Sequence, residues 1–140
     1  MGRHVGPSVR WVAWRAVAHR LLALDHVQLA MPEGGDEDAE RFYQDLLGLR
    51  RVDKPAALVV RGGCWFSNGA VQIHLGVDPA FVPARKAHPA LVVEELDALV
   101  EVLGAAGRSV RFDDELPDVR RCYVDDPFGN RIELIEAPGD

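Results

Sequence analysis

His26-Val27-Gln28-Leu29-Ala30-Met31 and His88-Pro89-Ala90-Leu91-Val92-Val93 are the two runs on which the fold turns. Each opens on a histidine and continues as a strand-like apolar run, at an offset of 62 residues (26 to 88). Self-similarity at a fixed spacing signals one supersecondary unit used twice. After the first run, Asp36 can cap a helix whose apolar positions Ala39, Phe42, Tyr43, Leu46 and Leu47 recur at helical spacing and end at Gly48. After the second, Leu96, Leu99, Val100 and Leu103 repeat that pattern up to Gly107. Short strands then follow, over residues 50–53, 58–61 and 70–75 in the first half and 110–112, 121–125 and 131–135 in the second. Gly62-Gly63, Ser67-Asn68-Gly69 and Asp126-Pro127-Phe128-Gly129-Asn130 supply turn chemistry where hairpins need it. Each half therefore reads β-α-β-β-β.

The last strands also correspond. Ile73-His74-Leu75 lines up with Ile132-Glu133-Leu134 at an offset of 59 (74 to 133). Side chains alternate faces along a strand, so the aliphatics point one way and His74 or Glu133 the other. If the aliphatics face the helices, the two polar groups project onto the opposite, concave face. An isolated carboxylate there costs several kcal/mol to desolvate, and a bound cation offsets that cost. Four repeat-equivalent positions, His26, His74, His88 and Glu133, thus form a candidate metal site. Three imidazoles and a carboxylate suit a divalent transition metal, Zn, Ni, Fe, Co or Mn, rather than Ca or Mg, which prefer oxygen shells. His4 and His19 show no such correspondence.

Composition restricts the rest. A chain of 140 residues supports one domain with a real core. The net charge is −6, yet residues 1–24 carry Arg3, Arg10, Arg15 and Arg20 and no acid, so the remainder is more acidic still. Such a body repels a phosphate backbone and offers no basic stripe, which excludes nucleic acid as a partner. Residues 11–24 are interrupted by Arg15, His19 and Arg20 too often for a membrane span or a secretory signal. Their basic, acid-free character suits either a transit peptide or an amphipathic helix packing through Trp11, Trp14, Ala18 and Leu21. Residues 1–22 are therefore set apart as a basic extension. Cys64 and Cys122, with no C-x-x-C pair near either, read as buried, reduced thiols of a cytoplasmic protein.

These residues resemble the vicinal oxygen chelate superfamily, which includes glyoxalase I, fosfomycin-modifying enzymes, extradiol dioxygenases and bleomycin-resistance proteins. The most specific stretch is Tyr123-Val-Asp-Asp-Pro-Phe-Gly-Asn-Arg-Ile-Glu133, which looks like the family's closing hairpin with its ligand glutamate. Asp38-Ala-Glu-Arg-Phe-Tyr-Gln-Asp-Leu-Leu-Gly-Leu49 looks like its first helix. The resemblance spans about residues 23–137. It implies an α+β fold in which two tandem βαβββ modules, about 23–77 and 86–137, form a cupped, barrel-like mixed sheet with helices outside. It implies metal ligands at His26, His74, His88 and Glu133, with Glu133 and Tyr123 as catalytic groups, a small oxygenated substrate and a homodimer. The activity implied is a metal-dependent lyase or isomerase of the glyoxalase type. Alternatives are an Fe(II) ring-cleaving dioxygenase using His26, His88 and Glu133, and a drug- or metabolite-binding resistance protein without catalysis. His74 departs from the family pattern, where glyoxalase I-like members present a glutamate. The dioxygenase signature also asks for a histidine shortly before Tyr123, and residues 112–122 contain none.

Overall fold

The computed structural model of the chain describes residues 17–139. Its elements run β1 (Val27–Met31), α1 (Asp36–Ala39) continuing as π-helical turns over Glu40–Leu46, β2 (Arg50–Val52), α2 (Ala56–Val59), β3 (Cys64–Ser67) and β4 (Gln72–Val77). The second half follows with β5 (Ala90–Val93), α3 (Leu96–Ala105), β6 (Val110–Asp113), β7 (Arg121–Asp125) and β8 (Arg131–Glu136). Two four-stranded sheets result, ordered β1-β4-β3-β2 and β5-β8-β7-β6. In each, the first and last strands pair parallel and the remaining pairs are antiparallel. The two modules share one topology, and among the described residues no barrel closes.

The inner faces follow from strand alternation. Leu29, Met31, Cys64, Phe66, Ile73 and Leu75 from the first sheet, and Cys122, Val124, Ile132 and Leu134 from the second, enter one continuous core. Ala39, Phe42 and Tyr43 from the first helix and Leu96 and Leu103 from α3 complete it. Both cysteines are free and buried as expected, and burial pushes the Cys64 thiol up to about 11. That keeps it unreactive near neutral pH.

A buried polar network ties the halves together. Asp126 accepts the Tyr43 hydroxyl at 2.7 Å, the Asn130 side-chain amide at 3.0 Å and the backbone N–H groups of Phe128 and Asn130 at 2.9 and 2.8 Å. Asn130 in turn donates to the Ala30 carbonyl in β1 and accepts from the Ala84 N–H in the connection between modules. The turn at 126–130 is therefore also the joint between modules, and Gly129 at φ 90° makes it possible.

Four local expectations change. Residues 58–61 do not form a strand: Pro55, at φ −51°, precedes the short helix α2, and the third strand of the module is β3, at Cys64–Ser67, instead. Asp36 does not cap its helix; Gly35 holds that position, and Asp36 pairs with Arg51 at 3.0 Å. The helix widens into π geometry over Glu40–Leu46, and its adjacent residues Phe42 and Tyr43 are both fully buried, packed edge to face at 5.0 Å. Residues 17–24 carry no helix, and Val17, Leu21, Leu22 and Leu24 are exposed, so the amphipathic helix does not extend over them; Trp11 and Trp14 lie outside the described residues.

Gly63 opens β3 at φ 85°, and a Cβ built there would lie 2.1 Å from the Leu75 carbonyl oxygen. Gly63→Ala combines a strained dihedral with a clash against backbone in the central pair β3–β4. A loss of about 2–3 kcal/mol is expected, read as a lower urea midpoint at unchanged slope. An unchanged midpoint would contradict the close packing of that hairpin.

Candidate metal centre

The outer face of the first sheet carries His74, flanked across the sheet by Trp65 on β3 and Gln28 on β1. Its neighbours Ile73 and Leu75 are buried in the core, as the alternation predicts. The His74 ring lies flat between two others, with Trp65 at 3.9 Å and 4° on one side and His26 at 4.0 Å and 17° on the other. Burial, and then the neighbouring His26, hold its pKa below the ordinary 6.5. A neutral imidazole with its ring fixed is the form a metal takes.

The outer face of the second sheet carries Glu133, which lies between Ala90 on β5 and Tyr123 on β7. It is 7% exposed, unusually little for a carboxylate. Its Oε2 faces His88 Nε2 at 3.1 Å, and its Oε1 accepts from Arg121 at 3.0 Å. His88 also meets the Tyr123 ring edge to face at 5.5 Å.

The second ring nitrogens are informative. His88 Nδ1 lies 2.8 Å from the Lys86 carbonyl oxygen, which can only accept, so Nδ1 carries the proton. His26 Nδ1 lies 2.8 Å from the Asp25 carboxylate. At both repeat-equivalent histidines an oxygen therefore holds Nδ1 and leaves Nε2 for another partner, the arrangement that orients metal-ligating imidazoles.

The four expected ligands are thus brought together as two pairs, His26 with His74 and His88 with Glu133, one pair in each module, with the histidine just before the first strand meeting the ligand on the last. Among the described residues no group of three or more His, Cys, Asp or Glu donors comes together. The donor types fit a transition metal, and the His88–Glu133 pair converges. His26 and His74 stack near-parallel, with ring centroids 4.0 Å apart and 17° between their planes.

Tyr123 lies beside the Glu133 pair, with its hydroxyl accepting from Arg121 at 3.0 Å. Asp25, Trp65, Asp113 and Arg121 also contact the two pairs or their partners and were not among the expected residues. Trp65 was findable, because it occupies the place of Tyr123 in the repeat (65 to 123), each paired directly with the ligand strand. Arg85 and Lys86 make no side-chain ion pair among the described residues, and Lys86 contributes its carbonyl to His88.

The family model for the glyoxalase/bleomycin resistance protein/dioxygenase superfamily matches residues 23–134. A solved structure from Bacillus anthracis, described as a glyoxalase family protein, is 44% identical, with 87% of this chain and 100% of that chain covered and a TM-score of 0.83. A superfamily member from Sphaerobacter thermophilus shares the fold at 20% identity, TM-score 0.67, covering 83% of this chain and 98% of its own. The fosfomycin resistance protein FosX of Listeria monocytogenes shares it at 15% identity, TM-score 0.69, covering 85% and 96% respectively. No curated protein matches the chain. The chain belongs to the glyoxalase/bleomycin resistance protein/dioxygenase superfamily.

Proposed function

We propose that the protein is a cytoplasmic, metal-dependent lyase or isomerase of the glyoxalase type, acting as a homodimer on a small metabolite through two adjacent oxygens. In this reading His26 and His74 of one copy and His88 and Glu133 of a second copy hold one divalent transition metal. The observation that carries it is the fixing of Nδ1 by an oxygen at both His26 and His88, which prepares Nε2 at matched places in the two modules. The division of the donors into two pairs, with no group of three or more coming together among the described residues, supports completion by a second chain.

When bound, such a cation offsets the negative charge that develops on a substrate oxygen as a proton leaves the adjacent carbon. The chain's own residues supply the rest. Glu133, released from the metal as substrate arrives, is the carboxylate that moves the proton. Tyr123 accepts from Arg121, which leaves its own O–H free to donate to a substrate oxygen. Trp65 and Tyr123, from the two modules, give the site aromatic walls that orient a small molecule and exclude water. With one carboxylate among the four donors, a shuttle between paired glutamates is not available here.

A second reading, oxygen chemistry at Fe(II) through His26, His88 and Glu133, is favoured by the stacked His74, which could serve as a spacer rather than a ligand. Elemental analysis of protein purified without added metal tests the main proposal. About one divalent transition metal per chain is expected, and absence of stoichiometric metal overturns both metal readings in favour of a binding protein. Isomerisation or proton exchange of hemithioacetals, against oxygen uptake with catechols, separates the first two.

A further inference from the structure

Among the described residues Arg121 is the one Lys or Arg side chain paired with a proposed ligand, and its surroundings assign it a task that the metal reading does not include. Its side chain is 13% exposed and its guanidinium spans two carboxylates: Nη1 donates to Glu133 Oε1 at 3.0 Å, and Nη2 meets Asp113 Oδ1, from the neighbouring strand β6, at 3.2 Å. Nη1 also reaches the Tyr123 hydroxyl at 3.0 Å. Glu133 thereby has one oxygen held by the guanidinium while the other, Oε2, faces His88 Nε2 at 3.1 Å. A carboxylate so held has its plane fixed and one oxygen presented.

Asp113 answers the electrostatic objection to a cation beside a metal ligand. Its charge offsets that of Arg121, so the Asp113–Arg121–Glu133 chain keeps a net negative charge toward the donor pair. Arg121 Nε is buried with no acceptor among the described residues, so the side chain is held there despite an unmade hydrogen bond. The other module uses a different device. Gly63, two residues before Trp65, stands where Arg121 stands before Tyr123, and there the ligand ring is held by stacking instead. An imidazole is fixed by aromatic faces and a carboxylate by a guanidinium, each suited to its donor.

We propose that Arg121, anchored by Asp113, is a positioning residue that commits Glu133 to bind metal through Oε2 alone. This rests on the metal reading given above. The probe is cobalt(II), titrated into metal-free full-length protein and followed by binding affinity and by its visible absorption band, which reports ligand geometry independently of any activity. Arg121→Met is expected to bind cobalt about 10–100-fold more weakly, with a shifted band as Oε1 is freed. Arg121→Lys, which keeps the charge but not the planar fork, is expected to fall between. Asp113→Asn, which leaves the Glu133 contact intact, is expected to weaken binding several-fold with the wild-type band, and it decides the matter if Arg121→Met fails to fold. Wild-type affinity and band in Arg121→Met, or in Asp113→Asn where the methionine variant is unfolded, overturn the proposal. Wild-type protein that takes up no cobalt overturns the metal reading itself, a distinguishable result.

Discussion

Asp126→Ala is expected to destabilise the folded protein by about 3 kcal/mol or more, since each buried donor left without a partner costs about 1–3 kcal/mol and four lose their acceptor at once. Those donors are the Tyr43 hydroxyl, the Asn130 amide and the backbone N–H groups of Phe128 and Asn130, in a region where Asp126 is 3% and Asn130 1% exposed. The loss is not confined to one turn. Tyr43 comes from the first module and Asp126 from the second, so the substitution loosens the joint that sets the two sheets against each other. Tyr43→Phe removes one link only and is expected to cost about 1–2 kcal/mol. Burial raises the Asp126 carboxyl above its ordinary 3.8, against the hydrogen bonds from Asn130 and Tyr43 that pull it down. A folded carboxyl with a raised pKa holds its proton longer than the unfolded chain does. Its contribution to stability is therefore greatest below pH 3.8, declines as pH rises toward the raised value, and is constant above it. Urea unfolding of wild type and Asp126→Asn across that range measures the effect; curves that keep a constant separation contradict it.

His88→Ala is expected to reduce metal affinity by about two orders of magnitude, taking roughly 3 kcal/mol as one ligand's share of a four-ligand transition-metal site. It removes Nε2 from Glu133 Oε2 and also releases the ring's tie to the Lys86 carbonyl. The ring is partly exposed, so the fold should tolerate its loss. His19→Ala, in the exposed leading segment, serves as the control and is expected to leave affinity unchanged. Calorimetric titration of both variants with Zn or Co(II) checks this, and equal affinity for His88→Ala and wild type would remove the module-two half of the site.

The repeat was legible because strand alternation and helix periodicity leave local signatures. His74 and Glu133 are placed opposite buried aliphatics by that alternation alone, and the β7–β8 hairpin follows from residues 126–130. The stretch 58–61 misleads because Val59 and Val60 are β-prone; Pro55, which fixes φ at the entry, starts a helical turn there instead. The groups that orient the ligands were harder to see. Arg121 and Asp113 meet through the β6–β7 register, and Tyr43 meets Asp126 across 83 positions, neither of which any local pattern encodes. The grouping of four ligands as two pairs is likewise a consequence of tertiary packing. The repeat identifies which residues correspond but not which faces meet.

The division of the donors into two pairs makes a complementation experiment the most direct test of a site shared between copies. His74→Ala disables one half-site and His88→Ala the other, and each homodimer should lose tight metal binding. Mixed and allowed to exchange subunits, the two variants form heterodimers in which one site carries both substitutions and the other carries neither. Statistical exchange about a two-fold axis then restores tight binding at about a quarter of the sites. Recovery of that fraction on mixing is the predicted result. No recovery, with exchange verified by mass, would show that the four residues do not form one site between two chains.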